Sequence, residues 1–454
     1  MSIDLRSHFR EGSVFMTRHY SLRSQQRREQ KIQLWNRFVD SGLIGITEED
    51  CGILPRVLPL SYLKEIKNAS YYVSLFAMRL LSLPAREIKA IIPQGPIRDF
   101  LINELEVLKY RPQRWVGSFR FDMALVGEAI KGNPPKLLEI NEIGFGGLSR
   151  STFLQNTMLE LMPQLGENAL ILDAARAEIQ NYQRLGTNFA RFQYDAYDWE
   201  EEVLVREAAR AGVKIGLVSP KQLNFDYDLI DYPMLHQREV TAKQRNIIIG
   251  GKWRPDAVQM GYSFELQDYL RAPEMYKKIV QSQTPQYSPF ITGLVASKAI
   301  LVLLSDRSLR QKLLGSGRHL ESAILGAELL QGKRENVVEK PDAYVLKHVD
   351  GLGGEKVFFD SQLVRQLKKI SPAEESEWVI QERTRLNTLE LEGTLSRKRR
   401  VIADLGVFVQ YDWNKDRFNH FEVGGFITRG TNKTFKVNVS EGGIQVPVFF
   451  DKGA

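Results

Sequence analysis

Charged and amide side chains interrupt two apolar runs, FRFDMALVG and KLLEINEIG. Arg120 and Asp122 alternate along one extended segment and therefore share a face; Glu139 and Asn141 do the same on the next. Two carboxylates and an amide oxygen converging from paired strands are a hard-oxygen set suited to Mg ions that bridge phosphates. The adjacent guanidinium of Arg120 suits a phosphate or a carboxylate. A wet ladder of cross-strand charge pairs would use the same residue types. The apolar neighbours favour a polar site over that solvated face.

Three further segments add cations and turns. In YVLKHVDGLGGEKVFF, a strand delivers Lys347, and the chain then turns through Gly351, Gly353 and Gly354. Glycines let backbone amides approach an anion, and lysine supplies charge to polyphosphate. A flexible hairpin turn would read the same, and no Gly-Lys-Ser/Thr follows to make a Walker loop. In VASKAILVLLSD, Lys298 opens an apolar helix, either as a second phosphate-facing lysine or as a snorkelling one. Arg429 stands between glycine pairs in VGGFITRGTNKTFKVNVSEGG, a setting for a mobile phosphate-binding loop or for a plain hairpin arginine. The strand EWVIQERTRL has a polar end, Gln381 and Glu382, able to offer backbone groups to adenine and an acid to a ribose hydroxyl; an ordinary edge strand looks alike.

The elements that must position these groups follow from periodicity. Residues 30–39 and 62–83 carry apolar positions at helical spacing, the second stopping at Pro84. Around residue 115 the pattern becomes two strand-like runs separated by the turn KGNPP. ALILDAA, VKIGLVSP, DLIDYPML and DAVQMGY, with a helix over 200–211, predict a small open α/β sheet of Rossmann-like type. After Pro285 comes a helical section, and beyond residue 340 strands and turns alternate as AYVLKHV, EKVFF, EWVIQERT, RRVIADLGVFVQ, HFEVGGFIT, TFKVNV and VPVFF, a mainly antiparallel α+β unit.

At 454 residues the chain is too long for one ordinary core, and 43% hydrophobic with 26% charged residues describes a globular protein. The net charge of +7 is modest, so nucleic acid is not an expected partner despite basic clusters at 23–28 and 397–400. A single cysteine, Cys51, excludes an internal disulfide framework. The charged start MSIDLRSHFREGS and the short longest apolar run, 299–304, predict a cytoplasmic protein with no membrane partner.

Taken in order, these segments resemble the ATP-grasp ligases, specifically their circularly permuted branch, and are similar to the synthetase domain of glutathionylspermidine synthases. The Arg-x-Asp and Glu-x-Asn pairs precede the lysine and glycine-rich segment, which is the permuted order. The resemblance runs from about residue 115 to the end and implies an α/β and α+β chain. Its parts would be a helical N-terminal region (1–114), a permuted piece of the ATP-grasp domain carrying the metal motif (115–164), a Rossmann-like pre-ATP-grasp domain (165–275) and the nucleotide-binding domain (276–454). It implies ATP and Mg2+ as cofactors and Asp122, Glu139 and Asn141 as Mg ligands. Lys298, Lys347, Gly351, Gly353, Gly354, Gln381 and Glu382 would lie on the nucleotide, with Arg120 and Arg429 on the reacting groups. The implied activity joins a small carboxylate to an amine (amino acid, peptide or polyamine) through an acyl phosphate, in a possible homodimer. A non-catalytic ATP- or peptide-binding protein of the same fold is the alternative. A protein kinase, suggested by Asp404-Leu405-Gly406, is excluded because its glycine loop must precede its lysine, and no His-Arg-Asp loop exists. Asp404 is instead expected in a strand of the ATP domain.

Overall fold

The computed structural model describes residues 50–51, 55–92, 114–126, 133–142, 146–192, 199–221, 226–231, 234–243, 246–249, 255–260, 284–316, 318–351, 356–391, 399–431 and 444–452, with a few isolated positions besides. Most of 30–39, all of TFKVNV, and Gly353 and Gly354 lie outside them.

A large mixed sheet is built around two long strands, Arg399–Asn414 and Arg417–Thr431, paired antiparallel. Strand Arg114–Ala124 lies antiparallel to the first of them, and Lys136–Asn141 pairs antiparallel with it in turn. The C-terminal strand Ile444–Asp451 lines the other side, where Arg56–Pro59 joins it in parallel. Past Arg114–Ala124 the sheet turns parallel through Gln286–Tyr287, Ala257–Met260, Asn188–Phe192 and Lys214–Lys221. Three more strands, Asp226–Asp231, Met234–Lys243 and Asn246–Ile249, extend it antiparallel.

The expected strand ALILDAA is only two residues long, Ala169–Leu170, and pairs with the C-terminal strand. Ala174 and Ala175 already belong to helix Ala174–Tyr182, because the Asp173 side chain accepts from the Arg176 amide and caps it. NFARF, residues Asn188–Phe192, takes the place in the parallel sheet that this run was expected to fill.

Alternation divides the two faces of the large sheet. Trp115, Phe119, Phe121 and Met123 face one way with Val407, Val409 and Tyr411 into the main core. Helix Leu60–Ser82 covers this face, its buried residues Tyr62, Ile66, Ala69, Val73, Phe76 and Leu80 recurring at helical spacing. It ends at Ser82, with Leu83 extended ahead of Pro84, because the proline ring clashes with a helical conformation of the residue before it. Arg120 and Asp122 point to the opposite face with Asp404, Gly406 and Gln410.

A second sheet has four antiparallel strands in the order Ala327–Leu329, Trp378–Glu382, Tyr344–His348, Val357–Phe358. One face packs Leu346 and Ile380 against helices Arg334–Glu339 and Asp360–Leu367 through Val337, Leu363 and Leu367. The other turns Val379 toward helix Ala299–Ser305 and the main core. No helix among the described residues is long and apolar enough to cross a membrane.

Candidate active site

Cross-strand register assembles the polar groups of the large sheet. Arg429 lies opposite Asp404, Gly406 opposite Asp122, Asp122 opposite Glu139, and Arg120 opposite Asn141. Two neighbouring rows of pairs thus run across the sheet, Arg429 with Asp404 in one and Ile427, Gly406, Asp122 and Glu139 in the next, with a bulge between Asp122 and Met123 where the Glu139 strand bends. Gly406 shares a face of its strand with Asp404 and stands opposite Asp122. A Cβ there would meet Ile427 Cγ2 at 2.9 Å, so the missing side chain makes room for the cross-strand Ile427, while Arg120 Cδ, at 3.6 Å, would be in ordinary contact.

Asp122 is the hub. Its carboxylate accepts from Arg120 Nε at 2.9 Å and Nη2 at 3.1 Å, from Asn141 Nδ2 at 3.0 Å, and pairs with Arg429 Nη2 at 2.8 Å. Burial opposes its ionisation, but the two guanidiniums outweigh that and hold the carboxyl well below the usual carboxylate range. Arg429 also grips Asp404, Nε to Oδ1 at 3.2 Å and Nη2 to Oδ2 at 2.5 Å. Burial pushes Asp404 up to about 6, with Arg429 opposing the rise and the charge on Asp122 adding to it. Arg429 itself is buried, yet the two carboxylates keep it cationic.

The lysines close the row from the second sheet. Lys298 precedes helix Ala299–Ser305, its backbone amide held by the Val349 carbonyl at 2.8 Å, and its Nζ lies 3.3 Å from Glu139 Oε2. Lys347 shares a face of strand Tyr344–His348 with Val345, turned toward the large sheet, and its Nζ donates to the Leu138 carbonyl at 3.0 Å. Burial pushes Lys347 down to about 8, Glu139 opposing and Lys298 adding to the fall. Gln381, cross-strand from Val345, faces the same way and donates to the Leu137 carbonyl at 3.4 Å.

Arg120, Asp122, Glu139, Asn141, Lys298, Lys347 and Arg429 therefore meet where the two sheets face each other, with Gln381 beside them. Glu382 does not join them. As the next residue on its strand it points to the other face, and it accepts from the Gly326 amide at 2.9 Å. Gly351 is buried at the start of its loop, its amide donating to the His348 carbonyl at 3.1 Å. Arg429 sits within strand Arg417–Thr431 rather than in a mobile loop. The glycines before it serve packing: a Cβ on Gly424 or Gly425 would lie 2.3 or 2.4 Å from Ala177 or Ala174 Cβ on helix Ala174–Tyr182, which covers the site-bearing face of the sheet. Asp404, placed by the sequence in a strand but given no role, is the third carboxylate of the cluster. The criterion that singled out Asp122, an acid inside an apolar strand, applies to it equally.

The donor set fits a hard divalent cation. Asp122 and Glu139 face each other from paired strands, and Asn141 would add an amide oxygen. Among the described residues no three His, Cys, Asp or Glu side chains form a metal cage, so such an ion would depend on phosphate oxygens and water for its remaining ligands.

No family model and no curated protein matches the sequence. Among solved structures, a glutathione synthetase-like effector from Globodera pallida, in apo form, superposes with a TM-score of 0.73 over 95% of this chain and 98% of that one, at 12% identity. At that identity the likeness shows the fold alone, an ATP-grasp-like one. D-alanyl-alanine synthetase A from Vibrio cholerae aligns over 55% of this chain and 69% of that one at 11% identity, with a TM-score of 0.29 that carries no argument.

Proposed function

We propose that the chain is a Mg-ATP-dependent carboxylate–amine ligase of circularly permuted ATP-grasp type, forming an amide or peptide bond through an acyl phosphate. One observation carries this reading. Two lysines from the small-sheet side meet two arginines and an acid-amide set from the large sheet, the groups that phosphoryl transfer needs for positioning and charge neutralisation.

Lys298 and Lys347 hold the polyphosphate between the sheets. Arg120 and Arg429 face the transferring group, each oriented in advance by a carboxylate, so little reorganisation is needed as charge moves. A substrate carboxylate oxygen attacks the γ-phosphorus, the bond to the β–γ bridging oxygen breaks, and ADP leaves. The amine then attacks the acyl carbon, phosphate departs, and the ammonium formed gives a proton to water or phosphate. Mg, held by oxygens of Asp122, Glu139 and Asn141, would supply neutralisation of the phosphate charge. The substrate carboxylate and amine are small molecules of the amino-acid, peptide or polyamine class. The motif order, acidic pairs before lysine and glycine segment, supports the permuted form.

A second reading, an ATP- or peptide-binding protein without turnover, draws on two facts. The oxygens of Asp122 are already engaged by Arg120, Arg429 and Asn141, and the superposing protein is named an effector. Thermal unfolding with and without Mg-ATP, in wild type and Glu139→Ala, tests the site first. An upward shift lost in the variant supports it, since a ligand of the folded state raises apparent stability. A well-folded wild type that does not shift at millimolar Mg-ATP sinks the nucleotide reading, whereas a shift without ADP release over a panel of acids and amines favours the second one.

A further inference from the structure

The chain after Asn141 returns over the sheet as a Gly146–Gly147 turn and enters helix Leu148–Leu161. Gly147 has φ +95°, a conformation that other residues adopt only under strain, and a Cβ built on it would meet Phe408 Cζ at 3.5 Å and Ile427 Cδ1 at 3.7 Å. Phe408 is the cross-strand partner of Arg120, so the turn sits directly over the Arg120 row. The Gly146 carbonyl accepts from Arg120 Nη1 at 2.7 Å. Arg120 is thereby held on two sides, by Asp122 at Nε and Nη2 and by the turn at Nη1.

A buried carboxylate from a distant element holds the turn in place. Glu200, on helix Trp199–Arg210, accepts from the Gly147 amide with both oxygens, at 3.1 and 2.8 Å, and its Oε1 lies 2.8 Å from Arg150 Nε. The helix N-terminus has no side-chain cap of its own, so this carboxylate satisfies an amide that would otherwise be orphaned. Glu200 and Gly147 are 53 residues apart, and the contact ties the α/β part of the chain to the phosphate-facing row.

We propose that Glu200 is a positioning residue for Arg120, acting through the Gly147 amide and the Gly146 carbonyl. The proposal rests on the ligase reading for its consequence in turnover, but the link between Glu200 and Arg120 is testable without it. A guanidinium that loses one of its two anchors samples rotamers away from the transferring group, while the lysines that bind ATP are untouched.

The experiment is a double-mutant cycle of Glu200→Ala and Arg120→Ala, read by kcat and by the Kd of Mg-ATP. Glu200→Ala should lower kcat by about tenfold or more, as small misplacements of catalytic groups do, and change the Kd by less than about twofold. In the Arg120→Ala background the same change should cost nothing further. Full additivity, or a loss of Mg-ATP affinity matching the loss of kcat, overturns the proposal. Should Glu200→Ala unfold, Glu200→Gln, of the same volume, is put through the same cycle and read the same way. If the wild type turns over no substrate, the ligase reading fails by itself, and the Nε–H resonance of Arg120, assigned by its absence in Arg120→Ala, decides the inference. A shift or broadening of that resonance in the Glu200 variant upholds the link, and an unchanged resonance overturns it.

Discussion

A lysine buried against a carbonyl is poised to respond to a polyanion. Burial pushes Lys347 down to about 8 by disfavouring its charged form, and the Leu138 carbonyl with the fields of Glu139 and Asp122 offsets part of that cost. Phosphates placed beside Nζ would favour the charged form and raise its pKa. Between about pH 8 and the ordinary lysine value, Mg-ATP binding is then expected to take up a fraction of a proton and to weaken as pH rises. Calorimetric titrations in buffers of different ionisation enthalpy measure that uptake directly. Lys347→Met should abolish it, and an uptake that persists in the variant would place the proton elsewhere. The residue types of the site were legible in the sequence for a simple reason. A charged side chain inside an apolar strand has few roles other than a paired polar site. Glu382 shows the limit of that reasoning. Its neighbour Gln381 faces the cleft, and one step along the strand was enough to send Glu382 to the Gly326 amide.

The elements owe their close approach to small residues. Helix Ala174–Tyr182 lies on the Arg417–Thr431 strand with alanines at the contact, and Gly424 and Gly425 remove the side chains that would hold it off. A Cβ on Gly425 would come within 2.4 Å of Ala174 Cβ and 2.8 Å of its Cα, so the backbone itself would have to move. Gly425→Ala is therefore expected to destabilise the protein by about 1–3 kcal/mol, the usual range for overpacking, measured by urea unfolding. Loss of less than about 0.5 kcal/mol, as for a surface change, would mean that the helix can lift away without consequence. In the sequence this glycine pair reads equally well as a loop, because period and composition say nothing about what packs on a strand.

Across the whole molecule, the face of the large sheet that carries the site also buries an acid away from it. Glu178, on the covering helix, accepts from Ser118 Oγ at 3.1 Å and Gln410 Nε2 at 3.2 Å. Burial raises its pKa, with Gln410, Tyr287, Ser118 and Arg191 opposing. The sign follows from proton counting. Above the ordinary glutamate value the folded state holds a proton that the unfolded chain has released. The contribution of Glu178 to stability should therefore be fully present below the ordinary glutamate value and be lost as pH rises through the raised one. Glu178→Gln, neutral at every pH, is expected to flatten that decline in urea unfolding followed from pH 4 to 8. An equal slope in wild type and variant would assign the pH dependence to other groups.

By itself the sequence determined the helix Leu60–Ser82 and its stop before Pro84, the paired strands carrying Asp122 and Glu139, and the antiparallel character of the last third. Apolar periodicity, proline and alternation are local properties, readable a few residues at a time. It also marked the two lysines and Arg429 as candidates, since their chemistry depends on residue type. Only the tertiary structure decided that Arg429 bridges Asp122 and Asp404, that NFARF rather than ALILDAA enters the parallel sheet, and that Glu200 reaches the turn beside Arg120. Each of these depends on register and on contacts between segments far apart in the chain. Such pairings are set by the packing of complementary faces, which no short window of residues contains.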